Sequence, residues 1–186
     1  MNLHQTQYES LVYHATSITD ATLRTMCLNA ISHPAFFRGY GSAKNGPHKH
    51  HNYEGGLVTH TLEVLEIALG MANTQHLTVN NDVLIASALW HDHMKYRDYD
   101  ENGDPTLYRA RIRHLSGSYA EFSRKAAYHN LDIDLTDEIG RCILAHHGRQ
   151  EWGSPVEPQT VEAQILHFAD MLSMGFGNMK RSIHGT

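Results

Sequence analysis

LWHDHMKY, residues 89–96, is the stretch that decides the fold. It ends the apolar run VLIASALW, which is nonpolar almost all round, and a helix with that pattern is usually buried. His91, Asp92, His93 and Lys95 follow at once, although such side chains are costly to bury unless they are paired or bind a ligand. Solvent exposure would explain them, and so would a metal site in the interior. The rest of the sequence has to separate these two explanations.

The hydrophobic pattern is helical along the whole chain, and alternating strand patterns are scarce. Asp20 or Thr19 is suited to cap a helix near the N-terminus, and Asp134 or Thr136 to cap a later one. Pro34 is expected to end the N-terminal helices, because proline interrupts helical hydrogen bonding. The sequence therefore predicts an all-α bundle of five to seven helices. They are placed within residues 5–33, 57–71, 83–90, 106–129, 136–147 and 158–175.

The length and composition are typical of one globular domain. Single domains usually run to about 100–200 residues, and this chain has 186, of which 41% are hydrophobic and 19% charged. The net charge of −5 gives no basic field that would recruit long nucleic acid. No apolar run approaches the length of a membrane span, and Cys27 and Cys142 form no CxxC motif, so reduced thiols are expected. We therefore expect a cytoplasmic protein without a membrane partner.

Histidine is the outlying residue type: there are 16, against 15 lysines and arginines together. Several histidines and aspartates lie where a helix should bury apolar side chains. One such residue is more often a satisfied core side chain than a ligand, but five separate segments share the feature. If their helices pack side by side, the polar groups meet in the core, and a metal centre explains them together. These residues are His60, His91, Asp92, His114, His146, His147 and Asp170.

The ligand types narrow the choice of metal. Five imidazoles and two carboxylates, with no thiolate, suit Mn, Fe, Ni, Co or Zn. The set exceeds the four ligands of a closed zinc site. It therefore predicts two divalent transition-metal ions a few ångströms apart, with Asp92 as the bridge. Two-metal sites of this kind activate a shared water and bind phosphate oxygens.

The order His60, His91-Asp92, Asp170 resembles the H…HD…D signature of HD-domain metal-dependent phosphohydrolases. The resemblance becomes more specific with a longer set of motifs, which is similar to that of the HD domain in bacterial 3′–5′ exoribonucleases of the YhaM type. These motifs are HHNYEGGLVTHT (50–61), HDHMK (91–95), His114, HHGRQEWGSP (146–155) and EAQILHFAD (162–170). The resemblance covers about residues 48–175, and together with the chain length it predicts a single HD domain over residues 1–186. Residues 1–47 are its N-terminal helical extension and loop, and residues 48–175 are its core.

The resemblance also implies a role for each matching residue. The core metal ligands match His60, His91, Asp92 and Asp170, and the histidines that hold a second ion in dinuclear members match His114, His146 and His147. Lys95 matches a family lysine, and from i+3 of Asp92 it would stabilise charge on a transferring phosphoryl oxygen. Asp92 and Lys95 are thus the expected catalytic residues.

In addition to Lys95, four other residues are expected to contact the substrate. His50 and His51 match a histidine pair ahead of the GGL turn and are expected to touch the substrate phosphate. Trp152 is suited to stack on a base, although a packed tryptophan that anchors its loop is an equal alternative. Arg149 is a candidate phosphate contact, with a solvated charge as the alternative.

Together these residues predict a metal-dependent phosphohydrolase, either a phosphodiesterase or a phosphomonoesterase. A metal-bridging hydroxide would attack phosphorus in a nucleotide, a short oligonucleotide or another small phosphate compound. The related exoribonucleases carry an RNA-binding OB-fold module ahead of the HD domain. This chain has only residues 1–47 there, and they look helical. Long nucleic acid is therefore not the expected substrate.

Two other functions stay open at this point. The ligand set also fits a dinuclear-iron HD oxygenase. Met94 stands where the family usually has glycine in the pattern HD-x-G-K, and a side chain there would narrow the pocket or move Lys95. This departure favours a catalytically silent regulatory module that binds metal or nucleotide. The oligomeric state is not determined by the sequence.

Overall fold

The computed structural model describes residues 3–45, 50–74 and 77–184; positions 48 and 49, the first two of the expected core, lie outside the described residues. Within the described part there are nine α-helices, two 3₁₀ helices and no strand, so the all-α prediction is confirmed. Seven helices have ten or more residues, and two have five. The helices are α1 (Leu3–Thr16), α2 (Ala21–Ile31), α3 (Pro34–Arg38), α4 (Gly56–Thr74), α5 (Asn81–Trp90), α6 (Leu107–Arg111), α7 (His114–His129), α8 (Ile133–Ala145) and α9 (Val161–His184).

α5 is the central helix of the bundle. Every residue from Val83 to Trp90 is buried, as the apolar sequence predicts, and α5 packs against α2, α4, α8 and α9. Asn80 caps this helix, because its side-chain oxygen accepts hydrogen bonds from the backbone N–H groups of Asp82 and Val83. Because the whole end of α5 is buried, His91, the first residue after it, is also fully buried.

The helices that carry the other candidate ligands surround α5. α4 packs along α9, and α7 packs on α8. Trp90, the last residue of α5, packs edge-to-face on Phe122 of α7, with ring centroids 5.5 Å apart, and this contact fixes the end of α5 against α7. The ends of α5 and α8 and the start of α7 thereby meet the inner faces of α4 and α9.

The N-terminal helices belong to the same core. Leu11 of α1 and Leu23, Met26 and Cys27 of α2 are buried, and α1 and α2 pack on α4 and α5. Asp20 caps α2 by accepting a hydrogen bond from the backbone N–H of Leu23, which confirms one of the two predicted caps. In the described ranges, no helix combines the length and apolar composition needed to cross a membrane.

The N-terminal helical stretch ends ahead of Pro34, since α2 ends at Ile31. Pro34 also begins α3, because the first helical position needs no backbone N–H and proline already has a helical φ. One predicted helix boundary was wrong. α8 is capped by Asp132, whose side chain accepts a hydrogen bond from the backbone N–H of Leu135. Asp134 and Thr136, the predicted caps, therefore lie inside α8.

The predicted helix over residues 106–129 is divided into α6 and α7. Arg113 lies between them with a φ of 65°, in the left-handed region that non-glycine residues seldom adopt. His114, which was expected inside a helical segment, is consequently the first residue of α7. This break directs the His114 side chain toward the candidate site described below.

Replacing Asp82 with asparagine is expected to lower the free energy of unfolding by about 1–2 kcal/mol. The Asp82 carboxylate accepts hydrogen bonds from the backbone N–H and hydroxyl of Thr19 and from the backbone N–H of Asp20, and so ties α5 to the start of α2. Urea unfolding followed by circular dichroism measures the change. The exposed Asp137→Asn variant is the control, and an equal loss in both variants would contradict this role.

The effect of Asp82 should also depend on pH. Burial raises its pKa, but the hydrogen bonds from Thr19 and Asp20 outweigh burial and leave the pKa below the ordinary value. The folded state therefore binds fewer protons than the unfolded state, so the stabilisation is present above the unfolded pKa and is lost as pH falls through the folded one. The difference between wild type and Asp82→Asn should be full at about pH 6 and shrink below about pH 4.

Candidate metal centre

The Asp92 carboxylate lies between two groups of nitrogen and oxygen atoms. One oxygen, Oδ2, lies 3.1 Å from His60 Nε2 and 3.3 Å from His91 Nε2. Asp170 Oδ1 lies 3.1 Å from the same His60 nitrogen. These four side chains come from α4, from the end of α5 and from α9, and all are buried. We call His60, His91, Asp92 and Asp170 the first group.

The other Asp92 oxygen faces the second group, which consists of His114, His146 and His147. Oδ1 lies 3.4 Å from His114 Nε2 and 3.7 Å from His146 Nε2. His147 Nε2 lies 3.3 Å from His114 Nε2. Asp92 Oδ1 and His146 Nε2 are buried and have no hydrogen-bond partner among the described residues. The six other predicted metal ligands thus lie in two groups, one on each side of the Asp92 carboxylate.

These separations match those of ligands around a metal ion. Two atoms bound to one ion at about 2.1 Å, with angles of roughly 90–110° between them, lie about 3.0–3.4 Å apart. The nitrogen–nitrogen contact between His60 and His91, at 3.4 Å, falls in that range, as do most contacts within both groups. Imidazole and carboxylate donors without thiolate suit divalent transition metals. The residues present therefore fit such ions on both sides of Asp92.

The ends of α5 and α8 orient one histidine of each group in the same way. His91 Nδ1 lies 2.8 Å from the carbonyl oxygen of Ala88, and His146 Nδ1 lies 2.7 Å from that of Ile143. A carbonyl oxygen only accepts, so each Nδ1 carries the proton and each Nε2 presents a lone pair to the site. A histidine one position past a helix end can thus use the last helical turn to fix its tautomer.

The other two histidines of the second group are oriented by loops. His114 Nδ1 lies 2.7 Å from Asp98 Oδ2, and His147 Nδ1 lies 3.2 Å from the carbonyl oxygen of Trp152. Both acceptors again place the proton on Nδ1 and leave Nε2 free to bind a cation. The Asp98–His114 contact is the carboxylate–histidine arrangement that strengthens metal-bound imidazoles.

The surroundings hold His146, His147 and Asp170 in the protonation states that metal ligands need. Burial lowers the pKa of His147 to about 4, and burial together with His147 lowers the pKa of His146 well below its ordinary value. Burial raises the pKa of Asp170, but its contact with His60 outweighs burial and leaves this pKa well below the usual range. His146 and His147 are therefore neutral, and Asp170 ionised, at neutral pH.

Lys95 lies on the same carboxylate. Its Nζ is 2.5 Å from Asp92 Oδ2, and the side chain is buried. Burial lowers its pKa, but the charges of Asp92 and Asp170 outweigh burial and raise it, so Lys95 is protonated. Met94 does not displace it: the Met94 backbone N–H donates to Ser118 Oγ on α7, and its own side chain is buried.

Residues 57–175 match the family model described as HD domain. The chain belongs to the HD domain family. HD domains bind divalent metals, in agreement with the ligand groups around Asp92. The resemblance predicted from the H…HD…D order is confirmed, and the matched residues contain both groups.

Curated relatives of this HD domain include two kinds of enzyme. A dihydroneopterin 2′,3′-cyclic phosphate phosphodiesterase of Methanocaldococcus jannaschii is 33% identical, over 87% of this chain and 67% of that protein. The 3′–5′ exoribonuclease YhaM of Bacillus subtilis is 30% identical, over 81% of this chain and 48% of that protein. The YhaM of Listeria innocua is 32% identical, over 74% of this chain and 44% of that protein. The chain thus spans less than half the length of these exoribonucleases. No solved structure matches it.

The predicted substrate residues lie in different environments in this HD domain. His50 and His51 are buried, and their ring centroids lie 5.5 Å and 5.3 Å from that of His60. Arg149 and Trp152 are exposed, and the Arg149 guanidinium lies 5.1 Å from the Trp152 ring centroid. The histidine pair therefore adjoins the first group, while the Trp152 loop adjoins the second through His147.

The structure adds residues that the sequence analysis did not single out. Asp98 orients His114, and Ser173 Oγ lies 3.0 Å from His60 Nδ1. His167 places Nδ1 2.8 Å from the His146 carbonyl oxygen. Asp98 lies in a turn-rich loop, and Ser173 lies three residues after Asp170 on a helix. Polar residues are common at such positions, so the sequence did not mark either one as part of a site. Only the spacing of Ser173 from Asp170, one helical turn, could have indicated its place.

Proposed function

We propose that this chain is a metal-dependent phosphohydrolase that cleaves a phosphate ester in a nucleotide, a short oligonucleotide or another small phosphate compound. The observation that carries the proposal is the position of Asp92, with one carboxylate oxygen toward each ligand group and Lys95 on the same carboxylate. The relatives support it: one is named as a phosphodiesterase of a cyclic phosphate, and others as exoribonucleases. Hydrolysis at phosphorus is the chemistry common to these names, so a phosphodiester is the favoured substrate.

The proposal includes two bound divalent metal ions. The first group would hold one divalent ion and the second group another, with Asp92 shared, and Mn, Fe, Ni, Co or Zn is the expected choice. When bound, the ions supply an activated water and neutralise charge on phosphate oxygens. His91, His146 and His114 are held for this purpose by acceptors on Nδ1, so the ligand atoms need little rearrangement.

The side chains around the ions have separate tasks. Lys95 can move its ammonium from Asp92 to a phosphate oxygen, where it would stabilise the charge of the transition state. His114 and His147 are only partly buried, whereas His60 and His91 are fully buried. The substrate would therefore approach from the side of the second group.

The substrate contacts are assigned by this direction of approach. Arg149 and Trp152 lie on the partly exposed side and would bind a phosphate and a ring of the substrate. His50 and His51 would contact the phosphate from the side of the first group, because both lie beside His60.

Residues 1–186 are proposed to act as one domain, with the N-terminal extension as an integral part. The contacts of Asp82 with Thr19 and Asp20, and the buried side chains of α2, support this. Cys27 and Cys142 are both free and buried, which supports the proposal of a reducing compartment such as the cytoplasm.

The function is tested with purified protein, Mn²⁺ or another transition metal, and phosphodiesters such as bis(p-nitrophenyl) phosphate, 2′,3′-cyclic nucleotides and short oligonucleotides. Lys95→Ala is expected to lower kcat about a hundredfold while the bound metal is retained, because only stabilisation of the transition state is lost. The exposed Arg141→Ala is the charge-matched control and should keep full activity.

Other outcomes would overturn the proposal. Two bound ions without turnover of any phosphate ester would identify a regulatory module. Oxygen-dependent turnover with a mixed-valent iron signal would identify an oxygenase instead.

A further inference from the structure

Glu63 lies one helical turn after His60 on α4 and connects two parts of the site. Its Oε2 accepts a hydrogen bond from Ser173 Oγ at 3.0 Å. The same oxygen lies 3.1 Å from His51 Nε2. Ser173 is fully buried on α9, and the Glu63 side chain is 22% exposed. One carboxylate oxygen thus contacts side chains from two other segments.

The first branch leads through Ser173 to the metal ligand His60. A serine hydroxyl has one hydrogen, which Ser173 gives to Glu63, so its lone pair accepts from His60 Nδ1 at 3.0 Å. A proton of His60 is thereby placed on Nδ1, so Nε2 is the nitrogen that can offer its lone pair to a cation bound together with Asp92 and Asp170. His91 and His146 obtain the same tautomer from a backbone carbonyl. The tautomer of His60 depends instead on two successive hydrogen bonds between side chains, through Ser173 to Glu63.

The second branch leads to the histidine pair. His51 Nε2–H donates to Glu63, so His51 Nδ1 carries no proton and accepts from His50 Nδ1 at 3.3 Å. His50 Nε2 is then a free lone pair beside the first group. Glu63 therefore also fixes the tautomers of both substrate histidines.

The backbone of His51 is fixed by its own contacts, and the orientation of its ring is fixed separately by Glu63. His51 has a φ of 52°, and its carbonyl oxygen accepts from the backbone N–H of Gly41. A Cβ on Gly56 would lie 2.0 Å from that carbonyl oxygen, so only glycine fits there. The main chain is fixed by these contacts, and the imidazole is fixed by Glu63.

We propose that Glu63 is a positioning residue that sets the tautomer of the metal ligand His60 and of the substrate histidine His51 together. Metal binding at the first group and substrate binding at the histidine pair therefore depend on one carboxylate. The His60 part is independent of the reaction, and the His51 part rests on the proposed function.

Two variants separate the branches. Ser173→Ala breaks only the branch to His60, and Glu63→Ala breaks both. Affinity for Zn²⁺ is measured by competition with a chelator, and kcat and KM are measured at saturating metal. Ser173→Ala is expected to lower the affinity of one ion 10- to 100-fold with KM unchanged. Glu63→Ala should lower the same affinity and also raise KM about tenfold.

Two further variants exclude a merely structural effect. Glu63→Gln keeps an oxygen acceptor at the same place and should recover most of the metal affinity. The exposed Glu66→Ala on the same helix is the matched control and should change neither quantity. The inference is overturned if Glu63→Ala, folded by circular dichroism, keeps wild-type Zn²⁺ affinity. Absence of turnover in the wild type would sink the proposed function, but it would leave the Zn²⁺ comparison to decide the His60 branch.

Discussion

Asp92→Ala is expected to remove both metal ions and to lower kcat/KM at least about a thousandfold. The reason is geometric, because the two oxygens of this carboxylate face different ligand groups: Oδ2 lies 3.1 Å from His60 Nε2, and Oδ1 lies 3.4 Å from His114 Nε2. Loss of the side chain also removes the carboxylate to which the buried Lys95 ammonium is hydrogen-bonded. Elemental analysis of protein purified without chelator measures the metal, and circular dichroism checks the fold.

Variants of single groups serve as controls for this result. His146→Ala removes a ligand that only the second group uses, so one equivalent of metal should remain and kcat/KM should fall less than in Asp92→Ala. Asp137→Ala, an exposed change on α8, should keep two equivalents and full activity. Two retained equivalents in Asp92→Ala would show that Asp92 is not shared between the ions.

The all-α fold and the ligand groups were accessible from sequence for one physical reason. Burying an imidazole or carboxylate is unfavourable without a partner, so a polar residue in an apolar helix is a visible anomaly. His60 interrupts the apolar face of α4, Asp170 that of α9, and His91 follows the entirely buried α5. The structure brings all of these together around Asp92, although their roles as ligands stay a prediction.

The supporting residues could not be predicted because their roles depend on tertiary geometry. Glu63 and Ser173 occupy positions where a polar side chain is unremarkable in sequence, and their contact joins α4 to α9 across 110 positions. The break at Arg113 has a similar origin: no glycine marks the left-handed residue that starts α7 at His114. The predicted cap of α8 was also misplaced, since Asp132 and Asp134 are equally suited by residue type.

Met94 illustrates a local departure that the tertiary packing accommodates. The sequence comparison with HD-x-G-K suggested that a side chain here would shift Lys95. The Met94 backbone bonds to Ser118, and a Cβ on Gly117 would lie 3.3 Å from Met94 Cβ, so the residue packs against α7. Lys95 still reaches Asp92. Met94 thus does not move Lys95 away from Asp92, and activity measurements decide whether the site is silent.

Removing both metal ions is expected to lower the melting temperature by on the order of 15–30 °C. Ions that bind only the folded state stabilise it by about 4 kcal/mol each when free metal is a thousandfold above Kd, and 1 kcal/mol shifts the melting temperature of a domain of this size by about 2–4 °C. Without ions, Asp92 Oδ1 and His146 Nε2 are buried with no hydrogen-bond partner among the described residues, which costs about 1–3 kcal/mol for each group.

Differential scanning fluorimetry of chelator-treated protein, before and after addition of Mn²⁺ or Zn²⁺, measures this stabilisation. Mg²⁺ and Ca²⁺ should restore much less of it, because they prefer oxygen ligands and most ligands here are imidazoles. Asp92→Ala should show nearly the same melting temperature with and without metal, since it cannot hold either ion. Equal melting temperatures of the wild type in both conditions would mean that the convergent imidazoles around Asp92 do not bind metal. The buried histidines and aspartates on and next to α4, α5, α8 and α9 would then have to be stabilised by hydrogen bonds to one another.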